Sequence, residues 1–396
     1  MSAPQDNGLP DGWKHVRFGD VVRQSKTRVD PEADGIVRYV GGEHMDTDDL
    51  RIRRWGEVGD GYLGPAFHRH FKPGQVLYGS RRTYLRKVAV ADFEGVCANT
   101  TFVVESGSAD LRDEFLPYVM TSEPFHTFSI SRSKGSTNPY INFSDLAEYE
   151  FALPPIDEQQ RMVEVLGASD ATREAYRCVL HEARSCLQSA AEQAFAEPGT
   201  RWEPLSTVLL ESPRNGVTIS PVDRETGHWG LTIGSAGDWG FDASGTKSIA
   251  VPEAGDHAVV HEGDLFITRS NTQERVGLPF RAPEGLPEST YFSDLLVRLR
   301  PDPNQMPTWL IEVFFRSPRG RAAIRAISAG TSASMKKING RNLQSILVPR
   351  PEESAVARLQ ALVERLETFI ASAGALEVDA LRLRGSLATA LLEGRA

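Results

Sequence analysis

A chain of 396 residues, 40% hydrophobic and 24% charged, is long enough for two to four domains with real cores, at roughly 100–200 residues each. Its net charge of −9 excludes a uniformly basic nucleic-acid-binding surface, so any such site must be a local patch. The polar start Met1-Ser2-Ala3-Pro4 has no signal-peptide pattern, no apolar run is long enough for a bilayer, and three cysteines cannot build a disulfide framework. Cys178 and Cys186 fall eight residues apart on one expected helix, about 12 Å and too far to bridge. A cytoplasmic protein is expected, with no membrane partner.

In chain order, Gly12-Trp13 opens a series of landmarks: Tyr39-Val40-Gly41, the run Gly74-Gln75-Val76-Leu77-Tyr78-Gly79-Ser80-Arg81, then Gly135 with Ile141-Asn142, and finally Leu153-Pro154-Pro155. The short β-branched and aromatic runs Val76–Tyr78, Val88–Val90 and Thr101–Val104 alternate with turn residues and predict twisted sheet. A helix is expected around Glu114–Ser122. The same series returns from Trp202 through Thr232-Ile233-Gly234, Gly263–Arg269, Gly330 with Ile338-Asn339, and Val348-Pro349, with a helix expected around Thr308–Ser317. Solenoid units are roughly 20–50 residues, far shorter than this period. The fold class expected is therefore α+β, with two similar α/β domains in tandem.

Each copy runs into a long helix. After Pro154-Pro155, Asp157 and Glu158 fall in a first turn that favours carboxylates. One heptad row then carries Met162, Ser169, Tyr176, Ala183 and Ala190; the other carries Leu166, Leu180, Leu187 and Ala194, broken by Arg173. Pro198-Gly199 ends the run. The second helix follows Pro351 with Leu359, Leu366, Ala373, Ala380 and Leu387 on one row. Val363, Ile370 and Leu391 form its companion, broken by Glu377 and Arg384. At about 40 residues each, these helices are roughly 60 Å long. Their polar breaks and alanines suit a close antiparallel pair; ordinary amphipathic core helices are the alternative for shorter stretches. The boundaries expected are 1–152 and 199–348 for the two domains, and 153–198 and 349–396 for the helices.

The chain resembles the DNA-specificity (S) subunits of type I restriction-modification systems. The resemblance is carried by Gly12-Trp13, the Gly74–Arg81 run followed by Tyr84-Leu85-Arg86-Lys87-Val88, Gly135-Ser136-Thr137 before Ile141-Asn142, and most specifically Leu153-Pro154-Pro155-Ile156-Asp157-Glu158-Gln159-Gln160-Arg161. The second copy departs from it, since Pro351-Glu352-Glu353-Ser354 lacks the Glu-Gln-Gln-Arg run. The resemblance implies two target-recognition domains, each reading half of a split site in double-stranded DNA. It also implies helices that set the gap and help hold methyltransferase subunits, two of them, with a restriction and translocase subunit as a further partner. Such a chain is non-catalytic, and neither cofactor nor metal is expected.

Base reading needs side chains that reach base edges, and phosphate contacts that position them. The candidates are Arg81, Arg82, Tyr84, Arg86 and Lys87 in one loop of the first copy, and Ser133, Lys134, Ser136 and Thr137 in another. In the second copy they are Arg269, Ser270 and Asn271, taken as counterparts of the Arg81 run, and Thr331, Ser332, Ser334, Lys336 and Lys337. For any one of these, a solvated turn is the competing reading; their repetition in both copies favours DNA. Arg316, Arg319, Arg321 and Arg325 recur at helical spacing and read as a solvated face.

Other patterns carry less. Asn138-Pro139-Tyr140 lacks the second proline of an Asn-Pro-Pro-Tyr methyltransferase loop and reads as a turn before Ile141. His257 and His261 would stand about 13 Å apart on a strand, too far to share a metal, and His68-Arg69-His70 reads as strand or loop. No phosphate loop and no convincing nuclease motif is present. A self-contained methyltransferase or nuclease, and a protein-binding scaffold with two domains on a helical spacer, are the alternative functions.

Overall fold

The computed structural model describes residues 9–237, 240–252, 256–329 and 336–392. The chain forms two compact units, Met1–Arg177 with Gly374–Ala396, and Cys178–Ala373. Each contains one copy of the duplicated domain and one half of each long helix.

In the first unit the central sheet is antiparallel, in the order Val22–Ser25, Thr101–Ser106, Val76–Gly79, Val88–Val90. Successive strand residues point to opposite faces, and here both faces are covered. Val76 and Tyr78 enter a core with Phe18, Phe115 and Phe125, whereas Leu77 enters a second core with Val40, Phe71 and Val103. This double burial is why the run is apolar without alternation. A second sheet has the order Gly56–Glu57, Arg38–Val40, Gly95–Ala98, Phe67–Phe71, with Arg38–Val40 parallel to Gly95–Ala98.

The second unit repeats this plan. Leu265–Thr268 lies between Leu296–Leu299 and Pro279–Arg281, with Leu265 and Ile267 in one core and Phe266 in the other. Trp229–Leu231 runs parallel to Thr290–Phe292, as Arg38–Val40 does to Gly95–Ala98. The tryptophan and proline landmarks lie in or next to the two sides of one closing ladder. Lys14–Arg17 pairs with Glu150–Leu153 in the first copy, and Arg201–Pro204 with Leu347–Arg350 in the second, where Trp202 faces Pro349.

Two short helices follow each central sheet. The expected ones are found at Leu116–Met120 and Thr308–Arg316. A second in each copy, Glu123–Ser131 and Pro318–Ile327, was not expected. Ser122 and Ser317 cap them by accepting from Phe125 N and Gly320 N, and a proline stands in each first turn. The solvated-face reading of the arginines needs correction here. Arg316 is buried, pairs with Glu312 and donates to the Pro279 carbonyl, and Arg321 donates to the Glu274 and Val276 carbonyls. Only Arg319 and Arg325 of the four are exposed.

The long helices span Ile156–Ala196 and Glu353–Leu392. Gly199, at φ +95°, follows the first in the left-handed region that favours glycine after a helix. Within each unit their halves pair antiparallel. In the first unit, Asp170 meets Arg384 at 3.0 Å and Arg173 meets Glu377 at 3.3 Å, so the position rises on one helix as it falls on the other. The polar breaks in the heptad rows thus answer one another. In the second unit the seam is apolar: Leu187, Ala191 and Ala194 share a core with Ala355, Leu359 and Val363.

Gln159 of the Glu-Gln-Gln-Arg run is fully buried. Its amide donates to the Asp110 and Pro154 carbonyls and accepts from Arg112 N. The motif is in this part an internal staple between helix and domain. At the start of the second long helix the first buried position is Ala355, which has no such amide to offer.

Candidate nucleic-acid interface

In each copy the central strand leads into a loop that a second loop joins by the same backbone pattern. In the first copy, Ser80 N donates to Thr100 O (3.0 Å), and Ile141 N donates to Ser80 O (3.0 Å). Lys134 and Tyr140 exchange both their backbone hydrogen bonds, at 2.8 and 2.9 Å, and Arg81 bridges to Tyr140. In the second copy, Arg269 N donates to Leu295 O (2.8 Å) and Ile338 N to Arg269 O (3.0 Å). Ala329 and Lys337 exchange both bonds at 2.9 Å, and Ser270 pairs with Lys337. The two separate loops proposed from sequence are therefore one assembly in the first copy, and in the second the described flanks Ala329 and Lys336–Lys337 are tied to Arg269–Asn271 in the same way.

This register corrects one correspondence. Ser80 is the structural equivalent of Arg269, and Arg81 of Ser270, one residue away from the pairing of Arg81 with Arg269. On extended backbone one residue reverses the side-chain direction. Arg269 is half-buried and donates to the Asp294 carbonyl at 3.2 Å, while Arg81 is exposed.

The first-copy loop is tightly held. Thr83–Leu85 is a single 3-10 turn flanked by Arg82 and Arg86, both left-handed at φ 49° and 51°. Buried Thr83 shares a 2.7 Å hydroxyl hydrogen bond with Ser133, whose hydroxyl also donates to the Ser129 carbonyl at 2.9 Å. Arg82 N donates to Pro139 O at 2.6 Å. Arg86 pairs with Asp48 (2.9 Å) and Glu123 (2.5 Å), and Lys87 donates its ammonium to the Gly42 carbonyl. Burial pulls the Lys87 ammonium below its usual range. Burial also raises the Asp48 carboxyl, against the pull of Arg86.

Beneath this loop, His126 is buried, and among the described residues neither ring nitrogen is hydrogen-bonded; the Asp48 carboxylate lies at 3.9 Å. Burial, with Arg86 and Arg384 nearby, depresses it to about 3.

What faces solvent is a smaller set. Arg81, Arg82, Tyr84, Ser136 and Thr137 are exposed, and neither arginine has an ion-pair partner among the described residues. Lys134 is exposed but held by Asp145 at 2.8 Å, and that hydrogen bond lowers the Asp145 carboxyl. In the second copy Lys337 is exposed, Lys336 and Asn271 are half-buried, and Ser270 is buried. Thr331, Ser332 and Ser334 lie outside the described residues. Tyr140, passed over in the sequence as part of a turn, has its ring 5.1 Å from the Arg81 guanidinium. Only the spacing to Ile141 could have drawn attention to it.

Among the described residues no group of three or more His, Cys, Asp or Glu is arranged to hold a metal ion, and no helix is long and apolar enough to cross a membrane.

Residues 10–176 match the family described as Type I restriction modification DNA specificity domain. The Type I restriction enzyme EcoDI specificity subunit of Escherichia coli is 24% identical over 225 residues, covering 53% of this chain and 48% of that protein. The match thus spans about half of that relative's length. Two solved structures are also similar, each with 98% of both chains covered. One is the HsdS subunit from Thermoanaerobacter tengcongensis, 20% identical with a TM-score of 0.43. The other is the type I restriction-modification S subunit from M. genitalium, 13% identical with a TM-score of 0.48.

Proposed function

We propose, from the match of residues 10–176 to the type I restriction modification DNA specificity domain, that this chain is the sequence-recognition subunit of such a system. It reads a bipartite target in double-stranded DNA, one half-site per copy. It brings no chemistry itself but addresses two methyltransferase subunits, and a restriction subunit when one is present, to the site in the cytoplasm. The functional segments are 1–152 and 199–348 as readers, with 153–198 and 349–396 as the helical connection between them.

The observation that carries this reading is the repeated loop assembly, built on one backbone register in both copies and furnished with different exposed polar side chains. A constant frame with variable side chains is what separates positioning from base readout. Arg81, Arg82, Tyr84, Ser136 and Thr137 in the first copy, and Asn271, Lys336 and Lys337 in the second, are the proposed DNA contacts, with Lys134 on the backbone side. Thr331, Ser332 and Ser334 keep that assignment from sequence. Arg86, Lys87, Ser133, Arg269 and Ser270 are reassigned to holding the loops, because their polar groups are engaged or buried within the protein.

The experiment is selection of binding sites by the full-length chain from a randomised duplex pool at several salt concentrations. Two conserved half-sites separated by a gap of fixed length, with affinity falling as salt rises, are expected. Binding without sequence preference, or labelling of DNA by the pure chain from a methyl donor, would overturn the proposal.

A further inference from the structure

The equivalence of the two loop assemblies isolates one cross-strand pair in each copy, Arg81 with Tyr140 and Ser270 with Lys337. Resting on the DNA-reading proposal, we infer that this pair is a specificity slot reading one base pair of each half-site. In it Tyr140 is a positioning residue that aims Arg81 at a guanine.

Backbone hydrogen bonds fix the slot's frame on both sides. Tyr140 is clamped by its two bonds to Lys134, and the next residue, Ile141, is buried in the core and bonded to Ser80. Lys337 is clamped to Ala329 and followed by buried Ile338, bonded to Arg269, in the same way. Neither frame depends on the slot's side chains, so these can change without disturbing the fold. That is the property a reading position needs.

The first slot holds an exposed guanidinium 5.1 Å from an aromatic ring centroid, with no carboxylate paired to it among the described residues. Stacking uses the face of the guanidinium and leaves the in-plane N–H groups free. The ring therefore restricts a long side chain to few orientations without consuming its donors. A preorganised planar fork matches the O6 and N7 acceptors of guanine in the major groove.

The second slot moves its cation to the other strand. Ser270 is buried and too short to reach outward, while Lys337 is exposed where Tyr140 stands in the first copy. An ammonium on a flexible stem is a point charge without a plane, so this slot discriminates less sharply.

The test compares selected sites for the full-length wild type and for R81A, Y140F, Y140L, the double variant R81A/Y140L, and K337A. R81A should relax a single guanine position of one half-site by about 5- to 150-fold. Y140F should behave as wild type, because the ring and not the hydroxyl is used. Y140L should relax that same position by about 2- to 5-fold, the scale of an exposed cation–π contact. The double variant should match R81A, since a positioning ring has nothing left to position. K337A should act only on the other half-site, whose retention by the position 81 and 140 variants also shows that they are folded.

Full preference in Y140L, or a double variant worse than R81A, would overturn the positioning role. An R81A variant with every base preference intact would overturn the slot while leaving the DNA-reading proposal standing. A wild type that selects no sequence would overturn that proposal, and this inference with it.

Discussion

Arg173 and Glu377, 204 residues apart in sequence, meet at 3.3 Å where both long helices carry a polar break in an otherwise apolar row. Arg177 shares the same carboxylate oxygen at 2.7 Å, and Arg173 also donates to the Asp48 carbonyl at 2.8 Å. The pairing specifies antiparallel register, since a slip of one heptad would leave buried Arg173 opposite apolar Ile370 or like-charged Arg384. Breaking a buried pair by removing one partner costs more than the pair itself contributes, because the remaining charge is left unneutralised. Glu377→Ala should therefore lower stability by about 3 kcal/mol, the low end of the range for buried pairs, as its carboxylate is partly exposed. Urea unfolding is the measurement. A change below about 0.5 kcal/mol would class the pair with ordinary surface ion pairs.

His126 gives the first unit a defined acid response. Its folded value of about 3 lies below the unfolded 6.5, so the unfolded chain binds the extra proton. That part of the stability is complete above about pH 6.5 and is lost progressively as pH falls toward about 3. At about pH 5 the loss amounts to roughly 2 kcal/mol, from 1.36 kcal/mol per unit. His44, also lowered by burial, acts in the same direction. Asp48 and Asp170, both raised by burial, act in the opposite one at lower pH. His126→Phe should flatten the stability profile between pH 7 and 5 in denaturant titrations; an unchanged slope would show that the histidine is already protonated in the fold.

The left-handed backbone at Arg82 predicts a separation of stability from binding. A non-glycine residue there costs about 1–2 kcal/mol, and glycine gives back about 0.5–1 kcal/mol of chain entropy. Arg82→Gly should leave stability unchanged or raised by up to about 1.5 kcal/mol. DNA affinity should fall for all sequences, with the slope of log affinity against log salt reduced by about 1. Loss of stability together with affinity would make Arg82 a structural residue and not a phosphate contact.

The parts of this fold that were legible in sequence are those written in periodic or paired apolar residues. The duplication, the Val76–Tyr78 strand with its counterpart Leu265–Ile267, and the heptad rows all follow from burial, which selects residue type. The loops are set by backbone hydrogen bonds, which select almost nothing. That is why Arg81 was matched to Arg269 when the register pairs it with Ser270. It is also why Arg86 and Ser133 could not be told from free surface groups: their partners Asp48, Glu123 and Thr83 are distant in sequence. Arg316 looked solvent-facing by spacing alone, yet Glu312 one turn earlier neutralises it in the core. The helices Glu123–Ser131 and Pro318–Ile327 leave a trace in the sequence, a capping serine followed within two residues by proline.

The central claim is that two separate readers each determine half of one DNA target. Its most direct test is to replace residues 1–152 of the full-length chain with the corresponding domain of a relative of different specificity, and to select sites from a randomised duplex pool. The account predicts that one half-site changes to the donor's sequence while the other half-site and the gap are kept. A change in both half-sites, or in neither, would contradict it.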